Sequence, residues 1–168
     1  MSARPFAHMN CSLAQTLDVV GDRWTLLILR DAFFGVTRFD AFQKRLGIAR
    51  NLLADRLRHL CDEGIMAKSG GQSRRTAYRL TAKGLDLVPV LLALAHWGDK
   101  HRANPKGARA IFVDRQTGTP IQRMSIRAAE GQALEPADLT FERGPGLADP
   151  SPANGAPPLA DRPQGDLP

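Results

Sequence analysis

Cysteine is scarce: Cys11 and Cys61 are the two thiols in a chain of 168 residues. Two isolated thiols cannot build the disulfide framework of a small secreted domain, so both are read as free thiols in a reducing compartment. Long apolar runs are also missing. No window reaches the roughly 18 uninterrupted apolar residues that a membrane span needs. The opening MSARPFAHMNCS holds no apolar stretch of signal-peptide length. These absences point to a cytoplasmic protein without a membrane partner. His8, His59, His96 and His101 fall in no metal-ligand spacing, and neither a phosphate-cradling glycine loop nor a nucleophile motif is present. No enzyme activity, cofactor or metal is therefore expected.

What is present is ordinary apolar content, 43% of residues, enough to build a core. The length suits one main domain with an appendage. Charge is unevenly placed. Residues 1–102 hold 16 Lys and Arg against 9 Asp and Glu, a net of +7, while residues 103–168 hold 7 against 8. The whole positive excess lies in the front segment. That bias suits a polyanion, because neutralising phosphates releases condensed counterions. A merely solvated basic face would give the same bias.

The tail from Gly144 contains seven prolines and four glycines in 25 residues and no aromatic. It cannot bury enough apolar area to offset its ordering entropy and is expected to be disordered. Ahead of it, four helical patterns open the chain. The first begins at Ser12, where Ser12 and Gln15 form a capping-box pattern, and ends at Gly21. The second, 23–34, follows Asp22 as its cap and stops at Gly35. The third, 38–46, buries Phe39, Phe42 and Leu46 before Gly47. The fourth, 49–63, carries a stripe of Leu53, Leu57 and Leu60, with Arg50, Asn51, Asp55, Arg56, Arg58 and His59 largely off it.

A short strand at 65–68, the glycine-led basic turn SGGQSRRT at 69–76 and a returning strand at 77–80 come next. A single long helix is expected over 81–101, kinked at Pro89 and apolar on more than one face, which calls for a partner helix. Strands are expected at 110–114 and 121–127, with a turn at Glu130-Gly131 and a short segment at 139–142. The expected fold is mainly α with some β (α+β): a winged helix-turn-helix, a long C-terminal dimerisation helix, a small β appendage and a disordered tail. Its boundaries are an arm at 1–10, the DNA-binding and dimerisation domain at 11–103, the appendage at 108–143 and the tail at 144–168.

The stretches CSLAQTLDVVGDRWTLLILRDAFFG, RFDAFQKRLGIARNLLADRLRHLCDEGI and YRLTAKGLDLVPVLLALAHWGDKH together resemble the HxlR-type regulators. The resemblance spans about Cys11 to His101. It implies a dimeric winged-helix transcription factor related to the MarR group. Two departures stand out. Ala49 occupies a position where many relatives have Ser or Thr, so it offers no side-chain cap to the fourth helix. The region 114–131 has the outline of the zinc ribbon some relatives carry, but not its paired cysteines, so no structural zinc is expected.

In a helix-turn-helix the second helix presents its N-terminal residues to base edges. Arg50, Asn51 and Asp55 hold those positions here, with Arg56 beside them. Their alternative reading is a solvated helix face. Arg74 and Arg75 at the wing tip suit phosphate or the minor groove, or else belong to a mobile basic hairpin. Arg38, Lys44 and Arg45 are further backbone-contact candidates.

Cys11 precedes the first helix, where the positive end of the dipole favours thiolate. Several relatives use the matching cysteine to sense quinones, aldehydes or oxidants, so Cys11 is a candidate sensing thiol. Its alternative is a small buried residue at a helix start. Cys61, near a helix C-terminus, is read as structural. Trp24, Phe33, Phe34 and Trp97 suit either a core or a ligand cavity, and the core is favoured. The function expected is a homodimeric regulator binding an inverted repeat in double-stranded DNA, responsive to an electrophile, an oxidant or a small-molecule effector. The competing reading is a winged helix that docks a protein.

Overall fold

The computed structural model describes residues 5–70, 76–140, 142 and 144–146. Arg74 and Arg75, and the tail beyond 146 that was expected to be disordered, lie outside the described residues. Four helices open the chain: α1 (Ser12–Val20), α2 (Arg23–Phe33), α3 (Phe39–Leu46) and α4 (Arg50–Asp62). Asp22 caps α2 as expected, its Oδ1 accepting from the Trp24 and Thr25 backbone N–H groups at 3.0 and 3.2 Å. Gly47 closes α3 at φ 62°, a left-handed conformation that costs glycine little. The capping box expected at Ser12 is not formed. Cys11 is the cap residue, without a side-chain bond, and Ser12 is already helical. Gln15 thus falls one position too deep to close a box, and its Nε2 donates to the Met9 carbonyl at 3.0 Å instead.

The core joins α1, α2, α3, α4 and the first strand through Val20, Ile28, Leu29, Phe42, Leu57 and Met66 among others. Leu53, Leu57 and Leu60 are all fully buried. Each such side chain contributes roughly 1.5–3 kcal/mol relative to exposure, enough to fix which face of α4 points outward. Strands β1 (Met66–Ser69) and β2 (Ala77–Leu80) pair antiparallel, from Met66 opposite Leu80 to Ser69 opposite Ala77. The Tyr78 N–H donates to the Thr37 carbonyl at 2.8 Å, which ties this hairpin to the segment entering α3.

The long helix expected over 81–101 is two helices, α5 (Ala82–Leu85) and α6 (Val88–His101). Pro89 sits in the first turn of α6 rather than at an interior kink. Proline has no N–H to offer the carbonyl four residues back, so the helix ends there and restarts with proline where its missing donor is harmless. Thr81 caps α5 by accepting from the Gly84 N–H at 3.2 Å. Gly84 also lets α5 approach the wing, since a Cβ there would collide with the Ile65 carbonyl oxygen.

The appendage has less β structure than expected. The strands expected at 110–114 and 121–127 reduce to one antiparallel bridge, Val113 with Pro120, plus β3 (Ile126–Arg127) paired with β4 (Ala133–Leu134). Two side effects of sequence account for this. Asp114 Oδ1 accepts from the Gln116 and Thr117 N–H groups at 2.6 and 3.1 Å, turning the chain early, and Pro120 brings no donor to the ladder. A 3₁₀ turn at Pro136–Asp138 precedes the segment expected at 139–142, whose described residues Leu139, Thr140 and Glu142 belong to no strand. The Met124 N–H donates to His96 Nδ1 at 3.0 Å, and Arg109 pairs with Asp99 at 3.2 Å, holding the appendage to α6. The architecture is mainly helical with small antiparallel sheets, the winged-helix arrangement anticipated.

Candidate nucleic-acid interface

The turn Gly47–Ala49 delivers the chain into α4 with no side-chain cap at Ala49. Opposite the leucine stripe, Arg50, Asn51 and Asp55 are exposed. Arg50 opens the helix. Its guanidinium carbon lies 4.9 Å from the centre of the Phe39 ring, and its Nη1 lies 3.8 Å from Asp40 Oδ1. Both ends of that ion pair are largely in water, so it is weak, and the aromatic face does more to orient the guanidinium. Asp55 is joined by Arg58 at 2.9 Å, one turn along. Arg58 was not singled out as a site residue, although its i,i+3 spacing from Asp55 was visible in the sequence.

Arg56, grouped with the base-reading residues, is engaged elsewhere. Its Nη2 donates to Asp22 Oδ2 at 3.3 Å, and its Nε lies 3.2 Å from Oδ1 without hydrogen-bond alignment. The pair braces α4 against the capped start of α2. Arg45, grouped with the phosphate contacts, is likewise engaged: its Nε donates to Asp31 Oδ2 at 3.2 Å. Asp31 is fully buried and also accepts from Arg30. A buried carboxylate needs such partners, which accounts for the claim on Arg45. Arg38, at the start of α3, and Lys44, in its last turn, are exposed.

Cys11 is exposed at the start of α1. Cys61 is half-buried, and burial, with the Asp62 carboxylate adding to it against an opposing pull from Lys68, raises its thiol above the ordinary range. The aromatic expectation needs correction. Trp24 packs partly against the core, but Phe33, Phe34 and Trp97 are exposed, Trp97 by 60%. Leu13 and Leu17 on α1 and Val90 and Leu94 on α6 are exposed as well. No residue of α6 is buried, because this one chain cannot cover an apolar helix on more than one face.

A family model described as HxlR-like helix-turn-helix matches residues 19–106, from the end of α1 past the end of α6. The chain belongs to the HxlR-like helix-turn-helix family. It is thereby a DNA-binding transcriptional regulator of the helix-turn-helix class. Rv3095 of Mycobacterium tuberculosis, named an uncharacterised HTH-type transcriptional regulator, is 38% identical over 138 residues, 81% of this chain and 87% of that protein. The crystal structure of PA1607, a proposed transcription factor, is 43% identical and superposes with a TM-score of 0.72, covering 80% of this chain and 95% of that one. Coverage of that extent reaches beyond the winged helix into the appendage. The redox regulator HypR in its reduced form is 28% identical, with a TM-score of 0.50 over 55% of this chain and 94% of its own. Among the described residues no helix is long and apolar enough to cross a membrane, and no cluster of three or more metal-ligating side chains occurs.

Proposed function

We propose that two copies of this HxlR-like regulator bind an inverted repeat in double-stranded DNA, each laying α4 in the major groove of one half-site. The observation that carries the reading is α4 itself. Its leucine seam is fully buried while Arg50, Asn51 and Asp55 face solvent at its N-terminal half. Arg50 suits a guanine edge, Asn51 an adenine and Asp55 a cytosine amino group. Arg38, Lys44 and the wing arginines Arg74 and Arg75 contact the phosphate backbone. Arg56 and Arg45 act indirectly, by holding α4 and α3 in place. The exposed apolar residues Leu13 and Leu17 of α1 and Val90 and Trp97 of α6 form the face on which the second copy packs, within the cytoplasm. Cys11 is the sensing thiol: it is exposed beside α1, so its modification would alter that interface. HypR, a redox regulator by name, supports this part of the reading.

Footprinting the DNA upstream of the protein's own gene tests the proposal. Two protected half-sites one helical turn apart, or a multiple of it, are expected, with affinity falling linearly on a log–log plot against salt. Absence of protection on every fragment, or binding indifferent to salt, would overturn it and favour a protein-docking role.

A further inference from the structure

We propose that the groove between α2 and α6, bordered by Arg109, Ala110 and Phe112, binds an amphipathic organic anion: an apolar body bearing one carboxylate or sulfonate. The groove is open to solvent on one side and has a volume of about 610 Å³. Small-ligand sites typically measure about 300–1,000 Å³. Leu26, Leu91, Phe34 and Phe112 form its apolar walls. Phe34 stacks on Phe112 with centroids 6.3 Å apart, and His96 meets Phe112 edge-on at 6.1 Å. The wall is thus built partly by the appendage, which gives that segment a task.

Charge selects the ligand's sign. Four arginines reach this groove: Arg30, Arg45, Arg102 and Arg109. Two carboxylates oppose them. Asp31 holds Arg30 and Arg45, and Asp99 holds Arg109. Four cations less two carboxylates leave a net of two positive charges. The Arg102 side chain makes no ion pair or hydrogen bond among the described residues, and it is exposed at the end of α6. A neutral or cationic ligand would leave it unmatched, whereas an anion completes it with a charge-assisted bond.

The same arrangement supplies a route to the DNA face. Arg30 and Arg45 line the groove and also satisfy the buried Asp31, which joins α2 to α3. An anion drawn to those guanidiniums competes with Asp31 and loosens α3, the helix that leads into α4. This regulatory consequence rests on the DNA-binding reading, but the ligand site does not.

The test uses 8-anilinonaphthalene-1-sulfonate and its neutral parent N-phenyl-1-naphthylamine, which differ by the sulfonate, titrated by fluorescence into the full chain without DNA. The sulfonate should bind at least about tenfold more tightly, and Arg102→Gln should remove most of that preference while Arg102→Lys keeps part of it. Phe34→Ala should weaken both dyes. Equal binding of the two dyes, or no effect of Arg102→Gln, overturns the site. So does a Phe34→Ala variant that sediments as a smaller species, because the groove would then be filled by a second copy. A separate gel shift reads the coupling: the sulfonate should lower DNA affinity in the unsubstituted chain and not in Arg102→Gln. Selective dye binding that leaves DNA affinity unchanged would overturn the coupling alone.

Discussion

Asp22 has two tasks, and substitutions separate them. Its Oδ1 caps α2 through two backbone N–H groups, and its carboxylate pairs with Arg56 on α4, 34 residues away. A lost N-cap typically costs about 1 kcal/mol. The ion pair is partly shielded, with side-chain exposures of 26% for Arg56 and 34% for Asp22. After discounting for solvent it is worth about 0.5–1 kcal/mol. Asparagine caps nearly as well as aspartate but carries no charge. Asp22→Asn should therefore cost about 0.5–1 kcal/mol, and Asp22→Ala about 2 kcal/mol. Urea unfolding reads both; with a slope of about 1–3 kcal/mol per M, the alanine variant should lose roughly 1 M in midpoint. A double-mutant cycle of Asp22→Asn with Arg56→Gln should return a coupling of about 0.5–1 kcal/mol, since the cap does not involve Arg56. Asp22→Asn and Arg56→Gln should also weaken DNA binding to the same degree. If asparagine costs nothing relative to aspartate, or the coupling is zero, the brace on α4 does not exist and Arg56 returns to the base-reading set; an asparagine as harmful as alanine would instead mean that the cap contributes nothing.

Two further outcomes follow from the thiols and the appendage. Burial, with Asp62 adding to it, raises the Cys61 thiol, while Cys11 is exposed, so alkylation near neutral pH followed by mass spectrometry should modify Cys11 first. Labelling of Cys61 should accelerate only as pH passes the usual thiol range; equal rates would remove Cys11 as a sensor. The N–H groups of Thr117 and Gln116 hold the Asp114 carboxyl below the ordinary aspartate range. A folded value below the unfolded one means the turn is fully supported above the unfolded value and loses that support as pH falls through the folded value. The amide signals of Gln116 and Thr117 should titrate below the ordinary aspartate value in NMR spectra, and Asp114→Asn should abolish the transition. A midpoint at the ordinary value would mean the turn bonds are absent in solution.

Local chemistry made α2, α3 and α4 legible. Asp22, Gly35, Gly47 and Gly64 punctuate them, and the leucines at 53, 57 and 60 set the buried face. The expected helix 49–63 differs from α4 by one residue at each end. Pro89 was read with the right physics and the wrong outcome: a proline that denies a hydrogen bond can kink a helix or start one, and only packing decides. The ion pairs were hidden for a different reason. Asp31–Arg45 and Asp22–Arg56 join helices, and a list of charges on one helix face cannot say which will be claimed by another element. The aromatic residues were assigned to a core because helical spacing does not distinguish a face covered by the same chain from one left for a partner or ligand.

The central claim is that Arg50 at the start of α4 reads a base edge. Its most direct test compares Arg50→Ala with the unsubstituted protein on the footprinted site and on a random duplex of equal length. Specific binding should weaken by about 1–3 kcal/mol, roughly 5- to 150-fold, while binding to the random duplex changes little. Circular dichroism should show the helix content unchanged. If both affinities fall together, Arg50 is only a phosphate contact; if neither falls, α4 is not the recognition helix.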